Sequence, residues 1–208
     1  MKTRIFNLII LDESGSMSSI EQEAISGVNE TIQTIRDAQK AYEEQQHYVT
    51  LVSFNSSSVK TIYDCLEADK VEELTNQEYV PSCSTPLYDA MGDSLTKLKK
   101  KVAEEDKVLV TVITDGYENA SHEYTGSAIK QLVENLKQRG WVFTYIGANQ
   151  NSQEVAFNIA INNVMNFQTT SAGTRTMFAK ENKSRMRWFT RVSQGDQDLA
   201  KDFFGDEK

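Results

Sequence analysis

Residues 12–16 read Asp-Glu-Ser-Gly-Ser and follow directly on an apolar run from Ile5 to Leu11. The aspartate and the two serines stand at alternate positions, so one carboxylate and two hydroxyls are close together in the chain. Carboxylate and hydroxyl oxygens are hard ligands of the kind that Mg²⁺ and Mn²⁺ prefer. Serine and aspartate are also common in turns, so a plain turn is the alternative interpretation. The stretch is therefore a candidate metal-binding loop.

A second aspartate, Asp115, ends another apolar run, Val108 to Thr114, and precedes Gly116. An Asx turn would explain this aspartate without any ligand. In an open α/β sheet, however, ligands bind at the carboxyl ends of the strands, where the winding direction reverses. If the two apolar runs are neighbouring strands at that point, Asp12 and Asp115 reach the same crevice.

The segment from Ser82 to Ala90 contributes a third candidate, Thr85. Pro86 suits the first position of a helix, which predicts Thr85 as the N-cap of that helix. A capping hydroxyl keeps lone pairs that can face a cation. Because helices that follow or precede parallel strands begin at the carboxyl ends of those strands, we expect Thr85 on the same side of the sheet as Asp12.

The helix after the first loop has a cap of its own, since Ser18 and Glu21 match a capping box. This pattern means that the two serines of the loop, Ser14 and Ser16, are not needed to cap the helix. It therefore favours their interpretation as ligands over the plain turn.

The predicted metal ligands are five oxygen-bearing side chains: Asp12, Ser14, Ser16, Thr85 and Asp115. This set suits Mg²⁺ or Mn²⁺, with Ca²⁺ as an alternative, in a roughly octahedral shell that water completes. Zinc is disfavoured, because the two histidines, His47 and His122, form no cluster with a cysteine. We predict His47 as a loop residue at the start of a strand and His122 as an exposed loop residue.

Composition indicates a soluble globular protein, since 39% of the 208 residues are apolar and 25% are charged. The net charge of -8 disfavours a nucleic-acid partner, which requires a basic surface. The two cysteines, Cys65 and Cys83, resemble neither a metal clip nor a disulfide framework, and no apolar run approaches the length of a membrane span. We expect a cytoplasmic monomer without a membrane partner.

Apolar runs rich in β-branched and aromatic residues predict six strands, at residues 5–11, 48–54, 59–63, 108–114, 142–147 and 164–167. Apolar residues at three-and-four spacing predict helices over 20–42, 86–102 and 128–139, and a basic helix is predicted over 172–191. Strands that are apolar on both faces and alternate with such helices are typical of a doubly wound, mostly parallel sheet with helices on both faces.

One strand is predicted to run antiparallel. The runs 48–54 and 59–63 are joined by four residues only, too few for a crossover, so they form a hairpin whose second strand lies at a sheet edge. The domain is expected to span residues 1–192 and to include the C-terminal helix. Residues 193–208 are predicted as an acidic polar tail.

With these segments in order, the sequence resembles the von Willebrand factor type A domains and their metal-ion-dependent adhesion site. The family's Asp-x-Ser-x-Ser motif stands here as Asp12-Glu-Ser14-Gly-Ser16. Its threonine stands as Thr85, in a setting similar to bacterial stand-alone members, and its strand-terminal aspartate as Asp115. The resemblance covers residues 1–167 and fills every ligand position.

The resemblance implies a Rossmann-like sheet, with the strand of Asp12 central and the strand of Asp115 beside it. It implies that Ser14, Ser16 and, in one state, Thr85 bind the ion directly, while both aspartates often act through water. An ion held mainly by neutral oxygens attracts an outside carboxylate, so a partner's aspartate or glutamate is expected to complete the shell.

The resemblance also predicts a partner-binding surface around the site, formed by Met17, Ser18, Tyr88, Tyr117, Glu118 and Asn119. Plain exposed loops are the alternative for each of these residues. Family members can change affinity by moving the last helix. Stand-alone cytoplasmic members often work beside AAA+ ATPases or in stress-response complexes.

An enzyme is the rival class of function. Haloacid-dehalogenase-type phosphotransferases also end their first strand with an aspartate that binds Mg²⁺, but they need a second acid two residues later, where this chain has Ser14. A Walker A loop and a GxGxxG motif are both absent from the sequence. We therefore predict a protein that is not an enzyme, and a metal-free scaffold remains as a further alternative.

Overall fold

The computed structural model of the protein describes residues 2–148 and 152–205. Its strands are β1 (Thr3–Asp12), β2 (Gln45–Asn55), β3 (Ser58–Glu67), β4 (Lys107–Thr114), β5 (Val142–Ala148) and β6 (Asn163–Phe167). Its α-helices are α1 (Glu21–Ala41), α2 (Leu87–Lys99), α3 (Gly126–Gln138), α4 (Ser152–Asn158) and α5 (Ser171–Ser193). Short 3-10 turns cover Gly15–Ile20 and Ala68–Lys70.

The strands form one sheet in the order β3-β2-β1-β4-β5-β6. All neighbouring pairs are parallel except β2 and β3, which form an antiparallel hairpin with β3 at the sheet edge. The predicted doubly wound α/β fold is confirmed, including the central position of β1. Because Leu11 pairs with Ile113, the carboxyl ends of β1 and β4 lie side by side.

The alternation of side chains along β1 divides the core between the two faces of the sheet. Ile5 and Ile9 pack on the face that α1 and α5 cover, whereas Leu8 and Ile10 pack on the face that α2 and α3 cover. Both faces of β1 are therefore buried, which is why its sequence reads as a continuous apolar run.

The start of α1 differs from the predicted capping box. Gly15–Ile20 forms a 3-10 turn, and α1 begins at Glu21 without a side-chain cap. The Ser18 hydroxyl donates to the Gly15 carbonyl within that turn. The capping-box prediction is wrong, because the turn buries Ile20 in the core and delays the start of the helix.

His47 also differs from its prediction as a loop residue. It lies within β2, is fully buried, and its ring meets the edge of the Phe189 ring at a centroid distance of 4.5 Å. Burial lowers the pKa of His47 to about 3, so this histidine is neutral at physiological pH. His122 is exposed, as predicted.

The segment after α5 folds back onto that helix. The Trp188 indole donates to the Leu199 carbonyl at 3.1 Å, and Phe203 is buried in the core next to α5. The segment predicted as an acidic polar tail thus contributes apolar side chains to the domain, as far as residue 205. Among the described residues, no helix is long and apolar enough to cross a membrane.

Candidate metal centre

Asp12 is the last residue of β1, and two neighbouring groups hold its carboxylate in place. Its Oδ1 accepts from the backbone N–H of Ser14 at 2.7 Å, and its Oδ2 accepts from the Thr114 hydroxyl at 2.5 Å. The Tyr79 hydroxyl donates to the Asp12 carbonyl at 2.7 Å. The carboxylate is thereby fixed between the ends of β1 and β4.

The two serines of the first loop connect Asp12 to Asp115 through hydrogen bonds. The hydroxyl oxygens of Ser14 and Ser16 are 3.2 Å apart, and the Ser16 hydroxyl donates to Asp115 Oδ1 at 2.5 Å. Residues 99 positions apart in sequence are thus in direct contact. The structure brings four of the five predicted ligands into one connected cluster.

Thr85, the fifth predicted ligand, reaches the same place from the start of α2. A Cβ atom added to Gly116 would lie 3.3 Å from Thr85 Oγ1 and 3.7 Å from Ser16 Oγ. Both hydroxyl oxygens therefore border the same small space beside Gly116. Any larger residue at position 116 would compete with them for it.

Thr85 is not the helix cap that the sequence predicts. Helix α2 begins at Leu87, and Pro86, which has no side-chain acceptor, occupies the capping position. The backbone N–H of Thr85 donates to Asn119 Oδ1 at 2.9 Å, and its carbonyl accepts from the Asn119 N–H at 3.1 Å. This pair of bonds joins the start of α2 to the loop after β4 and leaves the Thr85 hydroxyl outside any cap.

Backbone hydrogen bonds tie the first loop to the segment before α2. The Gly15 N–H donates to the Cys83 carbonyl at 3.0 Å, and the Ser82 N–H donates to the Glu13 carbonyl at 2.9 Å. The loop geometry is thus set by main-chain contacts, so the hydroxyls are positioned before any ligand arrives.

Burial makes the two carboxylates costly to ionise. Desolvation raises the pKa of Asp12 to about 6, and the nearby Asp115 charge adds to the shift, whereas hydrogen bonds from Thr114 and Ser14 oppose it. Desolvation also raises the pKa of Asp115. Neither carboxylate forms an ion pair with a basic side chain among the described residues. A bound cation would supply the missing positive charge.

The donor set matches a hard divalent cation. Two carboxylates and three hydroxyls offer oxygen atoms only, the ligand type that Mg²⁺ and Mn²⁺ favour. The described residues contain no group of three or more His, Cys, Asp or Glu side chains that could hold a metal. The cluster therefore differs from zinc sites, which use histidine and cysteine, and from cages built mainly of carboxylates.

The predicted partner surface is exposed in part. Ser18 and Asn119 are exposed beside the cluster, and Tyr117 is 56% exposed. Met17 is fully buried, so its prediction as a surface residue is wrong. The physical reason is the 3-10 turn over Gly15–Ile20, which directs Met17 into the core on the α1 and α5 side of the sheet.

Glu118 and Tyr88 serve the internal structure of the loop after β4. The Glu118 carboxylate accepts from the backbone N–H of Tyr88 at 2.9 Å and from those of Ala120 and Ser121 at 2.9 and 2.7 Å. Both side chains are partly buried. They shape the rim around the cluster, and Glu118 holds the first turn of α2 against this loop.

Sequence reasoning missed three residues that support the cluster. Thr114 and Tyr79 bond to Asp12, and Glu13 is buried with its carboxylate accepting from Lys60 Nζ at 2.5 Å. A sequence signal for Thr114 existed, because it directly precedes Asp115, the aspartate that follows the strand beside β1. Tyr79 and Glu13 had none, since their contacts join segments far apart in the chain.

Comparison with solved structures finds the same fold in pilus proteins and in a VWA domain. The chain is similar to a mutant of the PilB minor pilin from Streptococcus sanguinis, with a TM-score of 0.64 and 16% identity over 93% of this chain and 64% of that chain. It is also similar to the vWF domain of the type V pili tip protein Mfa5 from Porphyromonas gingivalis, with a TM-score of 0.58 and 10% identity over 88% of this chain and 96% of that one.

A third similar structure is the SpRpn10 VWA domain, with a TM-score of 0.56 and 9% identity over 85% of this chain and 94% of that one. The chain spans less than two thirds of the PilB chain that it matches, namely 64%. At these identities the likeness shows the fold alone. The sequence has no match among curated proteins.

The sequence profile of the von Willebrand factor type A domain matches residues 8–183, which include the second half of β1, all of β4 and the first half of α5. This match spans most of the chain and agrees with the sheet order and with the structural neighbours. The chain therefore belongs to the von Willebrand factor type A domain family.

Proposed function

We propose that this chain is a protein-interaction module whose binding depends on a divalent cation. Domains of its family are generally protein-interaction modules. The observation that carries the metal dependence is the pair of buried carboxylates, Asp12 and Asp115, without a basic partner among the described residues, beside three hydroxyl oxygens. The ion, Mg²⁺ or Mn²⁺ with Ca²⁺ as an alternative, would be held by Asp12, Ser14, Ser16, Thr85 and Asp115.

The chemistry of the cluster favours an acidic side chain as the group recognised on the partner. When bound, the ion would supply an electrophilic centre. If the hydroxyls of Ser14, Ser16 and Thr85 bind it directly and both aspartates act through water, it keeps much of its positive charge and attracts a carboxylate from outside. The exposed rim of Ser18, Tyr117 and Asn119 would contact the surface around that acid. Tyrosine at such a place is typical of interface anchors.

We propose binding without catalysis. The residue two positions after Asp12, where a phosphotransferase of the rival class needs an acid, is Ser14, whose hydroxyl lies 3.2 Å from that of Ser16. A serine there offers a ligand oxygen in place of a proton carrier. Release of p-nitrophenol from p-nitrophenyl phosphate above the level of an Asp12→Ala variant would contradict this part of the proposal.

For the cellular setting we propose a bacterial, cytoplasmic monomer that binds an AAA+ ATPase or acts in a stress response. The support is the resemblance to stand-alone members and the two cysteines, Cys65 and Cys83, which are both free thiols. Two of the structurally similar proteins are pilus components. Cell fractionation with an antibody against the chain tests the compartment.

Metal binding is tested by calorimetric titration of EDTA-treated protein with Mg²⁺ and with Mn²⁺. We expect saturable binding of one ion per chain by the wild type and none by Asp12→Ala. Ser19→Ala is the matched control, because Ser19 is exposed near the cluster and, within residues 2–148 and 152–205, its hydroxyl bonds only to the Ser16 carbonyl, at 3.4 Å. If the wild type bound neither of these ions nor Ca²⁺, the chain would be a metal-free scaffold.

Partner binding is tested by affinity capture from a cell extract in the presence of Mg²⁺ or of EDTA. We expect a protein that is captured with Mg²⁺, lost with EDTA, and recovered when Mg²⁺ is restored. The Thr85→Ala variant should lose this protein, because it lacks one hydroxyl of the cluster, whereas Ser19→Ala should retain it. Capture that is indifferent to EDTA would refute metal-dependent recognition.

A further inference from the structure

A cavity of about 230 Å³ lies between α2 and the β2–β3 hairpin. Its helix wall is formed by Ser94, Lys97, Leu98 and Lys101. Lys97 and Leu98 lie three and four residues after Ser94 and four and three residues before Lys101, so all four share one face of α2 and its continuation. Its sheet wall includes Thr50 and Val52, which share one face of β2. The cavity is thus built by a helix face and a sheet face.

This cavity is separate from the candidate metal centre. Thr85 precedes the first turn of α2, whereas Lys97 and Lys100 lie at its last turn. A helix of 13 residues is about 20 Å long, so one helix length separates the two places.

The cavity is basic although the chain as a whole is acidic. Three lysines line it, Lys97, Lys100 and Lys101, against one acid, Asp64, while the net charge of the chain is -8. Lys101 pairs with Asp64 at 2.5 Å, and Lys97 pairs at 3.0 Å with Asp93, which does not line the cavity. Lys100 forms no ion pair with any described residue. Such a balance of charge favours an anion.

Lysines at a helix C-terminus are common, so they would carry no inference alone. Ser94 supplies the second observation. It is 5% exposed, it lines the cavity, and its hydroxyl has no hydrogen-bond partner among the described residues. A helical serine usually donates to the carbonyl four residues before it. Because a buried hydroxyl without a partner is destabilising, an acceptor oxygen in the cavity would stabilise it.

We propose that this cavity binds a small organic anion, whose carboxylate or phosphate oxygen accepts from Ser94 and faces Lys97 and Lys100. Its short apolar part would lie against Val52 and Leu98, which are both buried. The volume of about 230 Å³ lies below the roughly 300–1,000 Å³ of pockets for drug-sized ligands, so the occupant is small. This site is additional to metal-dependent recognition and needs no metal.

The test is a titration of ¹⁵N-labelled full-length chain, followed by amide chemical shifts, with four probes. Butyrate and n-propyl phosphate carry the two acidic groups, and 1-butanol and n-butylamine carry similar apolar parts without negative charge. We expect saturable shifts around Ser94–Lys101 and Thr50–Val52 with butyrate, n-propyl phosphate or both. Absence of saturable shifts with both anions, or equal shifts with 1-butanol, would refute the proposal.

Single-residue variants distinguish a defined anion site from a general effect of positive charge. Ser94→Ala and Lys100→Ala should each weaken anion binding about tenfold, the scale of one hydrogen bond to a charged group. Lys99→Ala is the matched control, because Lys99 belongs to the same basic run but does not line the cavity. An equal loss with Lys99→Ala would refute a defined site.

Two further measurements distinguish loss of the anion site from loss of stability and from changes at the metal centre. Ser94→Ala should unfold at the same temperature as the wild type or higher, because alanine favours helices and the change removes an unpartnered hydroxyl. Loss of stability together with loss of binding would assign Ser94 to the core instead. Asp12→Ala should keep its affinity for the anion, whatever the outcome of metal binding, so the two proposals fail independently.

Discussion

Asp12 is a single carboxylate whose burial contributes to the pH response of the metal-free protein. Its pKa lies at about 6 in the folded chain, against an ordinary value of 3.8, and desolvation is the largest cause. The folded state thus holds the proton of Asp12 more tightly than the unfolded state does. The free energy of unfolding therefore falls as the pH rises from about 4 to about 6, and the loss is complete above that range.

Replacing Asp12 with asparagine tests this effect at the scale of one residue. The variant cannot ionise, so metal-free Asp12→Asn should be more stable than the wild type at pH 7 by about 3 kcal/mol, since each pKa unit corresponds to about 1.4 kcal/mol. At pH 4 the two proteins should be nearly equal. Urea unfolding in the absence of metal at pH 4, 5, 6 and 7 measures the difference.

Asp37→Asn is the matched control, because the Asp37 side chain is 54% exposed on α1. It should change stability little at any pH. A difference between Asp12→Asn and the wild type that stays constant from pH 4 to pH 7 would show that Asp12 ionises normally.

At the residue scale, the meeting of Asp12, Asp115 and Thr85 could be predicted, because each lies at the end or the start of a secondary-structure element. Asp12 and Asp115 end apolar runs, and Thr85 precedes a proline that announces a helix. The structure places all of these side chains together. Met17 could not be predicted, because its burial depends on a 3-10 turn that leaves no periodic signal over six residues.

Helix α5 is fixed to the sheet by a buried charged group. The guanidinium of Arg185, which is fully buried, donates to Asn7 Oδ1 on β1 at 2.9 Å and to Thr111 Oγ1 on β4 at 2.8 Å. It also donates to the buried Glu181 carboxylate at 2.9 and 2.6 Å. These contacts join α5 to the two strands that lead to the candidate metal centre, so they fix the position of the helix along the sheet.

Breaking this network should destabilise the domain strongly. Arg185→Met leaves the Glu181 carboxylate buried without its partner, and the free energy of unfolding should fall by roughly 3–5 kcal/mol. The double variant with Glu181→Met removes both charges and should recover most of that loss, because two apolar side chains replace the pair. Urea denaturation of both variants measures these changes.

The control variant for α5 is Arg175→Ala. The Arg175 side chain is 67% exposed, and its ion pair with Glu23 is long, at 3.5 Å. Its effect should stay within about 0.5 kcal/mol, as for most exposed substitutions. A single variant as stable as the wild type, or a double variant no better than the single one, would contradict the role assigned to Arg185.

At the element scale, long periodic patterns predicted the strands and most helices. The basic character of the last helix gave no sign of a buried arginine, although the buried stripe of Phe178, Glu181, Arg185 and Trp188 does have helical spacing. Helix α4, Ser152–Asn158, was missed because seven residues are too few for a periodic signal.

For the whole molecule, the alternation of strands and helices predicted a mostly parallel sheet, and the family resemblance implied the central place of β1 with β4 beside it. The hairpin was predicted from its four-residue connection, and β3 lies at the edge as expected. The folding back of the C-terminal segment could not be predicted, because Leu199 and Phe203 are isolated apolar residues in a polar stretch. Contacts between distant segments decide their burial.

Metal binding should stabilise the whole domain, because an ion that binds only the folded chain shifts the unfolding equilibrium. At an Mg²⁺ concentration about 100 times the dissociation constant, the gain is about 2.7 kcal/mol. For a chain of 208 residues this corresponds to a rise in Tm of roughly 5–10 °C, measured by calorimetry at pH 7.5 and constant ionic strength.

Asp12→Asn should show no rise in Tm on addition of Mg²⁺, and Ser19→Ala should match the wild type. An equal rise in Asp12→Asn would show that Mg²⁺ acts elsewhere, and a rise in the wild type that persists unchanged at pH 5 would contradict a site whose carboxylate must lose a proton near pH 6 to bind the ion.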